Sequence, residues 1–429
     1  MRSLVTILLC SITLLGFSQQ TPGNKQSEPV LILNATAHLG NGEVIENSAI
    51  GFVDGKITLI GDARTIKIDK SIFKQVIQAS GKHVYPGFIA SDTQIGLIEV
   101  DAVRATRDNR EVGKFNPNIR SIISYNTDSR VTPTIRSNGV LLAQVTPMGG
   151  VIPGQTSVVQ LDAWNWEDAA YQTDGGIKLI WPSSFSTSGW WANPGPTKEN
   201  NKYQDGVDEI RTYFKEAQAY NQKVTHEVKN LKFEAMRGLF SKEKTLFVSV
   251  NNSMGIMDVV HFTDAFGLKT VVVGGQDAWM NADFLKERNI PVILSQVQRL
   301  PNRQDADIDQ PFKTPKLLHD AGVDFSFSMG GSWEQRNLVF QAGQAVSYGL
   351  GYEQAIQGLT LNAAKILGID KTTGSLEIGK DATLFVSAGD VLDMRTSKVE
   401  TAFIQGREID LDNKQKALYR KFKEKYDSE

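Results

Sequence analysis

The sequence predicts an α/β protein, with a parallel β-sheet wrapped by helices and a second, smaller sheet assembled from both ends of the chain. Three observations carry this. Short apolar runs alternate with segments of helical spacing through the middle of the chain. Groups of short strand-like runs stand at each end, far apart in sequence. The length, 429 residues, exceeds one ordinary core but suits a large domain with a smaller one attached.

At the N-terminus, Arg2 precedes an apolar run over residues 4–17 that is short for a membrane span, and Ser18-Gln19-Gln20 follows it. This pattern predicts a secretory leader over residues 1–18, a linker over 19–29, and an exported protein, periplasmic or extracellular. Cys10 is the only cysteine and lies inside the leader. Leu9 before it argues against a lipid anchor. Removal of the leader leaves no disulfide or thiolate chemistry and no membrane partner.

Strand-type runs follow at 30–33, 49–53, 57–60 and 76–78, and Asp54-Gly55 between two of them is a hairpin signal. Runs at 383–386 and 399–404, with a turn at Gly406, close the chain in the same style. Between these ends, 246–250, 271–273, 291–294 and 323–328 read as strands, while 254–266, 278–288 and 313–321 read as helices. Such βα alternation with wholly apolar strands argues for a parallel sheet, open or closed into a barrel. Residues 207–231 read as a longer helix or a pair of helices, with Val207, Ile210, Phe214 and Ala217 on one apolar face. Residues 183–206, rich in Ser, Gly, Pro and Asn, read as a long loop of the kind that forms lids. The charged tail, 411–429, reads as a solvated terminal helix.

Apolar content of 41%, charged content of 22% and a net charge of -2 give no nucleic-acid footprint. No nucleophile elbow or phosphate-binding loop is present.

Three segments resemble the amidohydrolase superfamily, in particular its imidazolonepropionase-like members. The first is Gly81-Lys82-His83-Val84-Tyr85-Pro86-Gly87-Phe88-Ile89. The second runs from Gly349-Leu350 through Gln354-Ala355-Ile356 to Thr360-Leu361-Asn362-Ala363-Ala364-Lys365-Ile366-Leu367-Gly368. The third is Gly374-Ser375-Leu376-Glu377-Ile378-Gly379-Lys380-Asp381-Ala382-Thr383-Leu384. The resemblance covers about residues 28–410. It implies a (β/α)8 barrel over 86–371 and a small composite β-sandwich domain from 30–85 and 372–410. Its active site would lie at the C-terminal ends of the barrel strands.

The resemblance also implies a divalent metal, often zinc, that activates water for hydrolysis. The residues at the implied positions are poor for that task. Asp92 and Gln94 stand where a His-x-His pair is expected, and a Gln amide is a weak zinc ligand. Asn251-Asn252 follows the 246–250 strand, and Gly274-Gly275-Gln276-Asp277 follows the 271–273 strand, where histidines are expected. The stretch from Phe325 to Gly331 offers no carboxylate. None of the five histidines has ligand spacing. No metal ligand is therefore assigned, and no cofactor beyond the zinc that the resemblance would imply.

Asp92 and Asp277 are candidate catalytic residues, since two carboxylates at one mouth can divide acid and base roles. Gln94, Asn251, Asn252, Gln276, Trp190 and Trp191 are candidates for ligand binding. The Gly149 to Gln155 segment, with three glycines, is a candidate for close approach to a ligand. The implied function is hydrolysis of carbon–nitrogen bonds in small amides, cyclic amides or peptide-like compounds. The alternative is a catalytically inactive barrel acting as a binding or partner subunit, as a homo-oligomer or beside an intact amidohydrolase.

Overall fold

A computed structural model describes residues 21–427 apart from 191, 224 and 304. The expected leader with Cys10, and Trp191, lie outside the described residues. In chain order the strands are β1 (Val30–His38), β2 (Val44–Val53), β3 (Lys56–Asp62), β4 (Gln75–Gln78), β5 (His83–Pro86), β6 (Phe88–Thr93), β7 (Val140–Val145), β8 (Gly154–Gln160) and β9 (Ala170–Ile180). They continue with β10 (Phe185–Trp190), β11 (Asn193–Glu199), β12 (Thr245–Val250), β13 (Thr270–Gly274), β14 (Val292–Leu294), β15 (Phe325–Phe327), β16 (Leu384–Ser387), β17 (Val399–Ile404) and β18 (Arg407–Glu408).

Strands from both ends form one sheet in the order β18-β17-β16-β5-β1-β2-β3, with β4 paired to β1. Successive side chains of a strand point to opposite faces, and β1 is apolar on both. Val30 and Ile32 pack with Phe52, Leu384 and Phe403. Leu31 and Leu33 pack with Ala49. The Asp54-Gly55 turn joins β2 to β3 with both residues left-handed, at φ 49° and 78°, the geometry that suits the twist of a two-residue hairpin. Gln405-Gly406 repeats it between β17 and β18, at φ 49° and 74°. The two turns abut, so that a Cβ on Gly55 would stand 2.7 Å from the backbone oxygen of Gln405.

The second eight-stranded sheet runs β6-β7-β8-β9-β12-β13-β14-β15 and curls into a nearly closed barrel. At the seam between its first and last strands, the buried hydroxyls of Ser91 and Ser326 lie 3.2 Å apart. β8 is antiparallel to both neighbours, and the remaining strands share one direction. Parallel neighbours need a crossover of a dozen or more residues. Residues 146–153, between β7 and β8, are too few for one. Inside the barrel, Ile89, Leu142, Val158, Phe247, Val271 and Ile293 pack on Ala363, Ala364, Ile366 and Leu367 of the helix Leu361–Leu367. Helices including Tyr203–Asn221, Ser253–Phe266 and Leu338–Ser347 cover the outside with a large apolar core.

Two local expectations need correcting. Residues 183–206 are not a loop, because β10 and β11 pair there as an antiparallel hairpin. Its prolines obscured the signal, yet a two-stranded ribbon has only edges, where a missing N–H is tolerated. The helix expected near 207–231 resolves into Tyr203–Asn221 and Leu231–Phe240. His226 lies between them, not on a helix, stacked on the Tyr220 ring at 3.6 Å.

Candidate active site at the barrel mouth

The C-terminal ends of the parallel strands carry two polar clusters. The first is built on β6. The strand bulges between Ala90 and Thr93, and Asp92 takes a left-handed φ of 50°, an uncommon conformation for a side-chain-bearing residue. Its backbone N–H donates to Gln144 Oε1 at 3.0 Å. Gln144 in turn donates from Nε2 to Thr156 Oγ1 at 3.1 Å, while its carbonyl accepts from Thr93 Oγ1 at 3.1 Å.

The Asp92 carboxylate is held by a residue that the sequence reading missed. Lys178 of β9 donates from Nζ to Asp92 Oδ1 at 2.6 Å. Its side chain is only 5% exposed, against 19% for Asp92. Ile177 and Leu179, its neighbours in the strand, belong to the outer core. Strand alternation therefore turns Lys178 the other way, into the barrel. The available signal was a single cation inside the apolar run Ile177-Lys178-Leu179-Ile180, since lysine is rarely buried without a partner.

Both ends of the Gln94 side-chain amide are engaged. Its Oε1 accepts from Asn109 Nδ2 at 2.9 Å, and its Nε2 donates to Met148 Sδ. It fastens the segment after β6 to the segment after β7.

The second cluster sits at the ends of β12 and β13. The Asp277 N–H donates to the Asn251 carbonyl at 2.9 Å. Asp277 Oδ2 accepts from the Ser253 N–H at 3.3 Å and lies 3.9 Å from Arg303 Nη1. Burial raises the Asp277 carboxyl above its ordinary pKa, while Arg303, the Ser253 N–H and Arg299 pull the other way. Asn251 is exposed. Its Oδ1 would lie 2.4 Å from a Cβ on Gly274, whose φ is +96°, so only glycine leaves room for it there. Asn252 caps the helix Ser253–Phe266, accepting from the Gly255 N–H at 2.7 Å. Gln276 Oε1 accepts from Asn302 Nδ2.

Asn251, Asn252, Gln276 and Asp277 thus share one cluster, while Asp92 and Gln94 belong to the other. The two candidate carboxylates have separate cationic partners, Lys178 for Asp92 and Arg303 for Asp277. Trp190 closes the β10–β11 hairpin and is 62% exposed. Trp181 is buried, its indole N–H donating to Tyr203 OH at 3.0 Å. The glycines of the segment after β7 serve the backbone, since a Cβ on Gly150 would meet the carbonyl oxygens of Gly113 and Lys114 at 2.7 and 2.8 Å. A cleft of about 430 Å³ lies away from both clusters, lined by Thr270, Val271 and Pro291 at the opposite ends of β13 and β14.

These residues do not fit the divalent metal that the resemblance implies. The Lys178 ammonium already neutralises the Asp92 carboxylate through Oδ1, Asn109 and Met148 hold Gln94, and a helix N-terminus occupies Asn252. Among the described residues, no group of three or more His, Cys, Asp or Glu side chains is arranged to hold a metal ion.

A family model described as "Amidohydrolase family" matches residues 195–409. The chain is 30% identical over 129 residues to an imidazolonepropionase of Shewanella frigidimarina (strain NCIMB 400), covering 29% of this chain and 27% of that protein. It is 26% identical over 169 residues to the amidohydrolase tasK of Hapsidospora irregularis, covering 32% of this chain and 17% of that one. These matches thus span about a quarter or less of those curated relatives' length. Among solved structures, an amidohydrolase from Thermotoga maritima MSB8 superposes with a TM-score of 0.77 at 23% identity, covering 89% of this chain and 99% of the other. A Xaa-Pro dipeptidase with methionine bound in its active site superposes at 0.55 with 13% identity, covering 89% and 100%. At these identities the likeness is one of fold.

Proposed function

Starting from a chain that belongs to the amidohydrolase family, we propose that its barrel mouth binds a small amide, cyclic amide or peptide-like ligand without a metal-activated water. The observation that carries this is the Lys178 ammonium on the Asp92 carboxylate. The cluster needs a positive charge to balance Asp92, and the chain supplies one from its own strand. An ammonium orients a ligand by hydrogen bonding and charge but coordinates no water, so it cannot generate hydroxide as a bound metal ion does. Asp92 Oδ2 accepts no hydrogen bond from the described residues, which leaves it for a ligand N–H. Asn251, in the second cluster, offers a side-chain amide that matches a ligand amide, and Gln276 offers its Nε2. In this role the chain is a binding or partner subunit, as a homo-oligomer or beside an intact relative. The leader expected over residues 1–18 would place it outside the cytoplasm.

The test is metal analysis of the purified chain, paired with turnover assays over dipeptides and cyclic amides. The expected result is no stoichiometric zinc, manganese or iron and no turnover. Stoichiometric metal, lost together with amidase activity in Asp92→Ala, would overturn the proposal.

One observation favours a second function, metal-independent hydrolysis of a carbon–nitrogen bond. Asp277 is a half-buried carboxyl with a raised pKa beside Asn251, the kind of group that transfers protons at a site. Turnover by metal-free protein, abolished in Asp277→Asn, would select this function over simple binding.

A further inference from the structure

The terminal helix Lys414–Asp427 buries none of its residues, yet it is not uniformly polar. Leu418, Phe422 and Tyr426 recur every four residues and share one face, with Tyr419 beside them. Their exposures are 42%, 50%, 62% and 67% in that order. Along the main row exposure rises away from the attachment point. The helix is fastened to the barrel at its start, where Asn413 Nδ2 donates to Ser137 Oγ at 3.0 Å and Thr134 Oγ1 donates to Gln415 Oε1 at 2.9 Å, and its first turns are tied to the preceding segment by Lys416 on the Leu411 carbonyl and Arg420 on Asp412. The remaining turns present an aromatic stripe to the outside.

The charge on the helix is as uneven as its apolar residues. It carries six basic side chains and two acidic ones, in a chain whose net charge is -2. At 100° per residue, Lys414, Lys421 and Lys425 border one edge of the stripe, and Lys416 and Lys423 border the other. Lys414 and Lys421 take no partner among the described residues. A fully solvated helix has no need of Phe422 and Tyr426 in one row with Leu418, and Tyr419 beside them. A second copy packed on the same face would bring two strongly cationic helices together, which like-charge repulsion opposes. An aromatic stripe with lysines on both flanks is matched by a flat anionic surface with an apolar layer beneath it.

We propose that the helix Lys414–Asp427 is a docking element for anionic phospholipid bilayers. It lies in the plane of the headgroups, with Leu418, Tyr419, Phe422 and Tyr426 buried below them and Lys414 and Lys421 extended to the phosphates. It does not cross the bilayer. No helix among the described residues is long and apolar enough to do so. The barrel is thereby held at a membrane surface by its C-terminal end, independently of what its mouth binds.

The test is co-sedimentation of the full chain with phosphatidylcholine vesicles, with and without phosphatidylserine, at low and high salt. The expected result is binding only to the phosphatidylserine vesicles, weakened by salt. The doubly substituted F422E/Y426E chain should bind at least about tenfold more weakly. Its thermal midpoint should be unchanged, because the replaced side chains are outside the core. Equal binding by the substituted chain, or equal binding to vesicles without phosphatidylserine, would overturn the proposal. So would a failure to bind either vesicle. A dimer seen by light scattering and dispersed by F422E/Y426E, without vesicle binding, would assign the stripe to a second copy and overturn it as well.

Discussion

At the scale of single residues, the Lys178–Asp92 pair decides how the barrel mouth is read. The ammonium is almost wholly removed from water, and a buried charge is tolerable only when paired and hydrogen-bonded. Asp92→Ala leaves Lys178 uncompensated and is expected to cost about 3–5 kcal/mol in a urea unfolding measurement. Removing both charges with apolar residues, as in Asp92→Leu with Lys178→Met, should recover most of that loss. A cost for the double substitution equal to the sum of the single ones would show that the two side chains do not act as a pair. Asp277 makes a different prediction. Its folded pKa lies above the ordinary carboxylate value, so in that window the folded chain holds more protons than the unfolded one. Stability therefore falls as pH rises through the window. Asp277→Asn should flatten that part of the profile and raise the thermal midpoint above it. The positions of Asp92, Asn251 and Asp277 at strand ends were legible, because motif order and apolar strand runs place them. The partner of Asp92 was not, because a buried lysine is explained only by a strand that pairs far away in sequence.

At the scale of elements, local chemistry proved a good guide where it was strong. Asp54-Gly55 forms the left-handed pair of a tight hairpin, as the dipeptide implied. Its glycine has a second duty that no local rule contains, since Gln405 from the other end of the chain closes on it. Gly55→Ala should therefore cost more than the roughly 1–2 kcal/mol of a left-handed alanine, because the added methyl also meets a backbone oxygen. Gly81→Ala is the control. Gly81 is also left-handed, at φ 73°, but has open space around its Cβ position, so its cost should stay near the conformational value. Equal losses in thermal midpoint for the two would remove the steric part of the account. The β10–β11 hairpin and the reversed β8 were both hidden because neither carries an apolar strand pattern. Proline and glycine disguised the first as a loop. The second is buried throughout, yet only Val158 and Val159 of its seven residues are apolar, so no apolar run or alternation marks it as a strand.

At the scale of the whole molecule, the small sheet and the barrel meet through a chain of titratable groups. His38, at the end of β1, places Nδ1 2.7 Å from Glu353 Oε1 on the barrel helix Tyr352–Leu359. Its Nε2 lies 3.0 Å from Nδ1 of His83, at the start of β5. Tyr85 stacks on His38 with ring centroids 4.4 Å apart and hydrogen-bonds Tyr352, whose hydroxyl donates to Asp390 Oδ1 at 2.7 Å. Both histidines stand in the small sheet, but the carboxylate that His38 leans on comes from the barrel, far along the chain. Burial is the main cause that lowers the His83 pKa below 6.5, and His38 adds to it, with Asp390 opposing. The unfolded chain therefore binds a proton at His83 before the folded chain does. Stability is present in full above about pH 6.5, declines as pH falls below it, and levels off below the folded pKa. Between pH 8 and pH 5 the urea midpoint should drop in step, and His83→Gln should flatten the drop while leaving the pH 8 value nearly unchanged. An acid loss of the same size in His83→Gln would move the cause to other groups. If the loss does follow His83, acidification loosens the junction between the two domains before it reaches the barrel core.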